Sequence, residues 1–372
     1  MQKLLLVLIS VFLFTQSAIA DVLTYKKQKA TYTLVAEKPV NFEITLKSPR
    51  ENCELFASVY DENNQRLLRA SHKMKKAKDV FNLPVKTGTY YLEIGGNGQQ
   101  CYNKSFEVNI TKISGNFEKE QNNITSQATL LKESEYTSGY LQNSPEKGMD
   151  ADFYKIELAE SGILKLVLKY ENLGETHKFK MWLLDKDSNK ITLIESPLNK
   201  DGATQHIGLY SGDYFVKIDR HSSHNKVVGV EYKLAYVLNK GSFIELENNA
   251  KPVNATSIVS GKYINGYFQR NDYKDKDYYK YEAKGGKYKL VFEHDTYDFD
   301  TIGSIEISIF DANQKRIESF RADSKKLKEE FSFDLKSGTH FICFEPKNRT
   351  NGEAYKFGLM TTEEQITNAP GF

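Results

Sequence analysis

The sequence predicts an all-β protein of three tandem antiparallel β-sandwich domains, jelly-roll-like, behind a cleavable signal peptide. Three observations carry the prediction. A phrase recurs three times: Asp61-Glu62-Asn63-Asn64-Gln65-Arg66 leads to Gly88-Thr89-Tyr90-Tyr91, Asp185-Lys186-Asp187-Ser188-Asn189-Lys190 to Gly212-Asp213-Tyr214-Phe215, and Asp311-Ala312-Asn313-Gln314-Lys315-Arg316 to Gly338-Thr339-His340-Phe341. In every copy the Gly follows the first Asp by 27 positions. Apolar residues alternate at period two between turn signals spaced roughly every 8 to 14 residues, which puts one face of each strand on a core and the other in water. Tyr and Phe number 23 and 22 against a single Trp, a bias that suits pleated, half-buried surfaces.

The first 20 residues have the form of an export signal: Lys3, an apolar run from Leu4 to Phe14, then small residues in Ser17-Ala18-Ile19-Ala20. Cleavage is expected after Ala20, leaving a mature chain from Asp21 in the periplasm or outside the cell. No later stretch approaches the roughly 18 to 20 apolar residues of a spanning helix. The expected domains are residues 21–114, 115–240 and 241–362, with a flexible tail over 363–372. With 51 basic and 49 acidic residues the net charge is +2, so no basic face calls for nucleic acid. The lysines between Lys73 and Lys78 read as a solvated hairpin tip.

In the first repeat, strands are expected at Tyr32–Leu34, Val40–Leu46, Leu55–Tyr60, Phe81–Val85, Tyr90–Ile94 and Phe106–Ile110, with the Asp61 phrase as a tight turn. Tyr154 to Leu168 spans the same interval as Tyr32 to Leu46, so Leu164, Leu166 and Leu168 stand where Phe42, Ile44 and Leu46 stand. The third repeat carries Tyr279, Tyr281, Tyr288, Leu290 and Phe292, with one residue missing between Tyr279 and Tyr288 relative to the second. Three Cys in an exported chain suggest one disulfide and one leftover thiol. Cys53 and Cys101 flank strands of the first repeat and are the expected pair. Cys343 is then either a buried inert thiol or the site of an intermolecular bridge.

The second and third repeats open with a leader that the first lacks. It reads Glu118-Lys-Glu120-Gln-Asn122-Asn123, then Gly139-Tyr140 and Asp150-Ala-Asp152-Phe-Tyr154 in one, and Glu245-Leu-Glu247-Asn248-Asn249, then Gly266-Tyr267 and Asp275-Lys-Asp277-Tyr-Tyr279 in the other. Here the chain resembles the bacterial pre-peptidase C-terminal (PPC) domain family, whose members open with Glu-x-Glu-Pro-Asn-Asn/Asp, continue to Asp-x-Asp-x-Tyr and close with Gly-x-Tyr. The resemblance covers nearly all of the second and third repeats and only the core strands of the first. It implies small non-catalytic β-sandwiches appended to exported enzymes, some of which hold calcium through the leader and the Asp-rich turn. Carried over, the candidate ligands are Glu118, Glu120, Asn122, Asp150 and Asp152, and Glu245, Glu247, Asn249, Asp275 and Asp277. Carboxylates and amide oxygens are the donors Ca²⁺ takes. Both leaders lack the Pro, and the third repeat has one residue fewer between its second Glu and the Asn-Asn pair. The alternative is that these residues cap turns and sit as solvated hairpin acids.

No Gly-x-Ser-x-Gly elbow, His-Glu-x-x-His pair or Gly-rich phosphate loop occurs, so catalysis is not expected. Asp219 with His221 and His224 lies in a polar connection and reads as a solvated loop, and His294-Asp295 has no nucleophile beside it in sequence. The expected function is non-catalytic binding of a glycan or protein surface outside the cytoplasm, with Tyr140, Tyr263, Tyr267 and Tyr273 as candidate contact residues. A structural spacer or assembly subunit of the envelope, or a regulator of an exported protease, are the alternatives.

Overall fold

A computed structural model of the chain describes residues 13–15, 19–23, 29–47, 53–72, 78–142, 150–171, 179–195, 201–220, 229–269, 275–294, 303–323, 325–348, 350 and 352–364. Among them the chain is nearly all strand, in several antiparallel sheets. His221, His224, Asp295, Tyr273, residues 73–77 and most of the tail lie outside the described residues.

The first module contains β1 (Leu13–Thr15), β2 (Ile19–Leu23), β3 (Lys29–Ala36), β4 (Val40–Lys47), β5 (Leu55–Tyr60), β6 (Arg66–His72), β7 (Asp79–Val85), β8 (Gly88–Gly96) and β9 (Lys104–Ile113). One sheet runs β3-β8-β5-β6 and the other β9-β4-β7, with β1 and β2 both on β9. The expected cleavage point falls inside β2, which pairs Ile19 with Val108 and Leu23 with Lys104. Phe42, Ile44, Leu46, Ala57, Val59, Leu92, Ile94 and Val108, all at period-two positions, fill the core between the sheets. Cys53 is bonded to Cys101, with Cα atoms 4.9 Å apart across 48 residues of sequence.

The second module repeats the plan with β10 (Thr129–Leu130), β11 (Thr137–Tyr140), β12 (Asp152–Leu158), β13 (Gly162–Tyr170), β14 (Phe179–Leu184), β15 (Lys190–Glu195), β16 (Gly202–Leu209), β17 (Gly212–Arg220) and β18 (Glu231–Lys240). Its sheets are β10-β12-β17-β14-β15 and β11-β18-β13-β16 around a second core. The third contains β19 (Thr256–Ser257), β20 (Tyr263–Tyr267), β21 (Asp277–His294), β22 (Ser304–Asp311), β23 (Arg316–Asp323), β24 (Lys328–Pro346) and β25 (Ala354–Thr361). Here β21 and β24 each run without a break from one face of the module to the other, pairing from Asp277–Phe344 to Glu293–Lys328. The residue missing between Tyr279 and Tyr288 falls within β21, at the point where the second module turns. Where the second module turns between β12 and β13, the third bends through Gly285 and Gly286 at φ 88° and 114°, a backbone region that only glycine enters at little cost.

The repeated phrase is one turn built three times. The Asp61 carboxylate accepts from the backbone N–H groups of Asn63 and Gln65. Asp185 accepts from Asp187 and Asn189, and Asp311 from Asn313 and Lys315. The fourth residue of each turn, Asn64, Ser188 or Gln314, has φ between 61° and 65°. The ladder shifts register just before each turn, at Val59/Tyr60, Leu183/Leu184 and Ile309/Phe310. A short side chain that satisfies two backbone donors makes this turn self-contained.

Candidate metal centres at the module joints

Each leader reaches its site by pairing with the module before it. Glu120 bridges Val85 in parallel, and its N–H donates to the Pro84 carbonyl at 3.3 Å. Glu247 bridges Leu209 and donates to the Gly208 carbonyl at 2.8 Å. Pro84–Val85 and Gly208–Leu209 are equivalent positions, counted back from the Gly of the repeated phrase, and both end edge strands, β7 and β16. An edge strand offers unpaired backbone groups, and in this chain the next leader takes them.

The leader is held by its own module just before that bridge, the Glu118 N–H donating to the Ser138 carbonyl and that of Glu245 to the Asn265 carbonyl, both at 2.8 Å, and there five side chains converge. Carboxylate oxygens of Glu118, Glu120 and Asp152 lie within 4.8 Å of one another, as do those of Glu245, Glu247 and Asp277, and all six residues are buried. Asp150 and Asp275 are buried at the edge of each cluster, held by the backbone N–H groups of Gln142 at 2.5 Å and Gln269 at 2.6 Å. Asn122 donates to Glu118 at 3.1 Å and Asn249 to Glu245 at 2.8 Å. Both Asn stand four positions after the first Glu, so the shorter spacing to the Asn-Asn pair changes nothing at the site: Asn248 takes the place of Gln121. None of the ten candidates is a solvated hairpin acid. Each is less than 9% exposed, and Glu118, Asn122, Asp152, Asn249 and Asp277 are 0% exposed.

Tyrosines orient the cluster from behind. Tyr154 donates to Glu118 at 2.9 Å, and Tyr232 donates to Asp152. The third module repeats this with Tyr355 on Asp277 at 2.5 Å and the Tyr279 and Tyr355 hydroxyls 2.6 Å apart. The strand carrying Gly139-Tyr140 passes directly over the pair, where a Cβ on Gly139 would lie 2.5 Å from both hydroxyls; Gly266 stands in the same relation to Tyr355. Tyr232 and Tyr355 escape a motif reading because they lie far from the leader in sequence, whereas Gln142 and Gln269 stand two residues after the shared Gly-Tyr, a spacing that could have found them. The shared Tyr-Lys start of β18 and β25 is the signal that marks the first pair.

Charge is the unusual property of these clusters. Burial pushes the Glu118 and Glu245 carboxyls up to about 7 and Asp150 up to about 6. Glu120, Asp152 and Asp277 also lie well above the ordinary carboxylate range, first through burial and then through repulsion by their neighbours. One oxygen each of Glu120, Asn122 and Asp152 has no hydrogen-bond donor, and neither has one oxygen each of Asn249 and Asp277. Buried anionic oxygens without donors cost several kcal/mol unless a proton or a cation meets them. A set of carboxylates and an amide, with no His or Cys, is a hard-oxygen set suited to Ca²⁺ rather than Zn²⁺.

The first module shows what the scaffold does without a leader. Strand register places Ala30 where Asp152 and Asp277 stand, and Phe106 where Tyr232 and Tyr355 stand. Both are buried in the apolar core. Of the candidate contact tyrosines that the structure describes, Tyr140 is the one placed elsewhere than expected. Tyr140 is buried, with its N–H on Glu118 at 2.6 Å; Tyr267 stacks on His206; and Tyr263 bonds Glu293 at 2.6 Å beneath Lys356. Tyr140 is thus a buried residue of the joint, while Tyr263 and Tyr267 are half-buried and keep part of their surface exposed. Cys343 is buried, with its thiol pushed up to about 12 by burial, in keeping with an inert side chain.

No protein-family model and no curated protein matches the chain. Among solved structures, it is similar to the pre-peptidase C-terminal domain of a collagenase from Bacillus anthracis, at 14% identity over 31% of this chain and 99% of that one, TM-score 0.24. It is similar to the tandem CBM51 modules of a family 98 glycoside hydrolase from Streptococcus pneumoniae, at 7% identity over 60% and 84%, TM-score 0.21. A triple jelly-roll protein of an archaeal virus turret is similar at 8% identity over 94% and 87%, TM-score 0.27. The chain is an all-β protein of sandwich modules, and no helix among its described residues is long and apolar enough to cross a membrane.

Proposed function

We propose that this protein is an exported, non-catalytic binding protein of PPC-like modules, in which calcium at two joints holds three sandwiches as one array against a glycan or protein surface. The observation that supports it is the pair of buried carboxylate clusters with donor-free oxygens, each fed by a leader that is already paired with the preceding module. Glu118, Glu120, Asn122, Asp150 and Asp152 hold one ion, and Glu245, Glu247, Asn249, Asp275 and Asp277 the other. A bound ion neutralises acids that otherwise repel one another, and fixes the leader on which the joint depends.

The test is thermal melting of the mature protein in a chelator and in increasing calcium. At a hundredfold excess over the dissociation constant each site adds about 2.7 kcal/mol, a rise of several degrees. Superimposable curves would sink the calcium reading. The backbone pairing at both joints also favours a spacer role, in which the array sets a distance. Calcium-dependent stiffening without capture of any glycan or protein would select that reading.

A further inference from the structure

The sole tryptophan of the chain, Trp182, stands on the outer face of the second module, in a row that crosses the sheet through Phe153, Lys217, Trp182 and Leu193. All four are partly exposed. Between this row and the leader turn lies a cleft of about 450 Å³, lined by Ile124, Thr125, Phe153, Trp182, Leu184, Ser188, Lys190 and Lys217. It is shallow and open to solvent, with a mainly apolar lining, a shape that suits one face of a ligand rather than its enclosure. Ile124, at its rim, is 53% exposed.

The scaffold does not need this row. The corresponding positions are Thr31, Glu93, Ser58 and Arg69 in the first module and Tyr278, Cys343, Ser308 and Ser319 in the third. Only the second module combines an indole, a phenyl ring and a lysine there. The indole is also held in place. Its Nε1–H donates to Asp219 at 3.2 Å, and Asp219 in turn pairs with Lys217 at 2.8 Å. Lys180 and Lys217 stand 6.0 and 5.9 Å from the ring centroid. The lining itself carries no carboxylate, and with Lys217 already paired to Asp219, Lys190 is the cation left to meet an anion.

We infer that this cleft binds an acidic saccharide, its apolar ring face against Trp182 and Phe153 and its carboxylate or sulfate toward Lys190. Aromatic faces take the C–H side of a sugar ring, while a few polar groups fix its orientation. This deepens the binding reading proposed above and rests on it. None of its lining residues is a proposed calcium ligand, but Phe153 follows Asp152 and donates its N–H to the Asn122 carbonyl at 2.8 Å. Sugar binding is therefore measured with calcium held constant, and the calcium-dependent melt is read separately.

Because Trp182 is the only tryptophan, its emission reports on the cleft directly. The calcium-loaded protein is titrated with an oligogalacturonate, with a heparin-derived oligosaccharide and with a neutral cello-oligosaccharide. The expected result is a saturable spectral change with at least one acidic sugar and none with the neutral one. Lys190→Gln should weaken binding by about tenfold, and Trp182→Ala should abolish it by calorimetry while keeping the calcium-dependent melt. Equal binding of neutral and acidic sugars, or a response only to a protein partner, would overturn the inference. Undiminished acidic-sugar binding by Trp182→Ala would overturn the cleft and leave the binding reading standing. No binding of any sugar by wild type would remove the cleft and the glycan arm of that reading together.

Discussion

Gly208→Ala is the sharpest probe of the joint between the second and third modules. A Cβ at Gly208 would lie 1.7 Å from the Glu245 carbonyl oxygen and 2.8 Å from its carbon. The contact is with backbone, so no side-chain rotation relieves it. The leader must retreat by about 1.3 Å to restore even a 3.0 Å separation, and the 2.8 Å bond from the Glu247 N–H to the Gly208 carbonyl cannot survive intact. Overpacking of this kind costs about 1–3 kcal/mol, and the lost bond adds about 1 kcal/mol. The displaced segment carries Glu245 and Glu247, so the third module's carboxylate cluster, the proposed calcium site, is distorted while the second module's is untouched. Titration calorimetry should find two calcium ions per wild-type chain and one tight ion in the variant. Differential scanning calorimetry should resolve a third-module transition lowered by on the order of 10 °C. Two ions bound with unchanged affinity, and a single unshifted transition, would refute the claim that leader docking builds the site.

Two further outcomes follow from the same geometry. Replacing Cys53 and Cys101 by Ser opens a loop of 48 residues, which on a chain-entropy basis removes about 4 kcal/mol; the first module should then melt first, and a single unchanged transition in urea would contradict this. His206 stacks on Tyr267 at 5.1 Å across the second joint, and burial with the Lys165 charge holds its imidazole below 6.5. Because the folded state resists protonation there, the unfolded chain binds more protons once the pH drops below 6.5. Stability is therefore intact above that value and falls between it and the lower folded value. The loss from pH 7.5 to 5.5, measured by urea denaturation at saturating calcium, should be smaller in His206→Gln. Equal losses would place the acid sensitivity elsewhere.

Much of this architecture is written locally. Period-two alternation marked β4, β5, β8, β13 and β17, because each strand has one buried face, and the Asp61, Asp185 and Asp311 turns are satisfied by their own side chains. The leader acids were named as candidates through the resemblance to the PPC leader motif, whose carboxylate and amide oxygens suit Ca²⁺. Less local features were not. The merging of two strands into β21 depends on a backbone bend at Gly285 and Gly286 that alternation does not encode. The buried state of Tyr140 and the stacking of Tyr267 arise from strands that the sequence separates widely.

The sequence by itself determined the three β-sandwich repeats, since strand period and turn chemistry act over a few positions; the leader acids came from the resemblance to the PPC motif, and Cys53–Cys101 was an expectation that the structure bears out across 48 residues. Only the tertiary structure decided that the leader acids are buried, that Tyr232 and Tyr355 orient them, and that each site is completed where a leader pairs with the edge strand of the module before it. Burial and the meeting of distant strands are properties of the packed chain, and the raised carboxyls and donor-free oxygens exist only after that packing has excluded water.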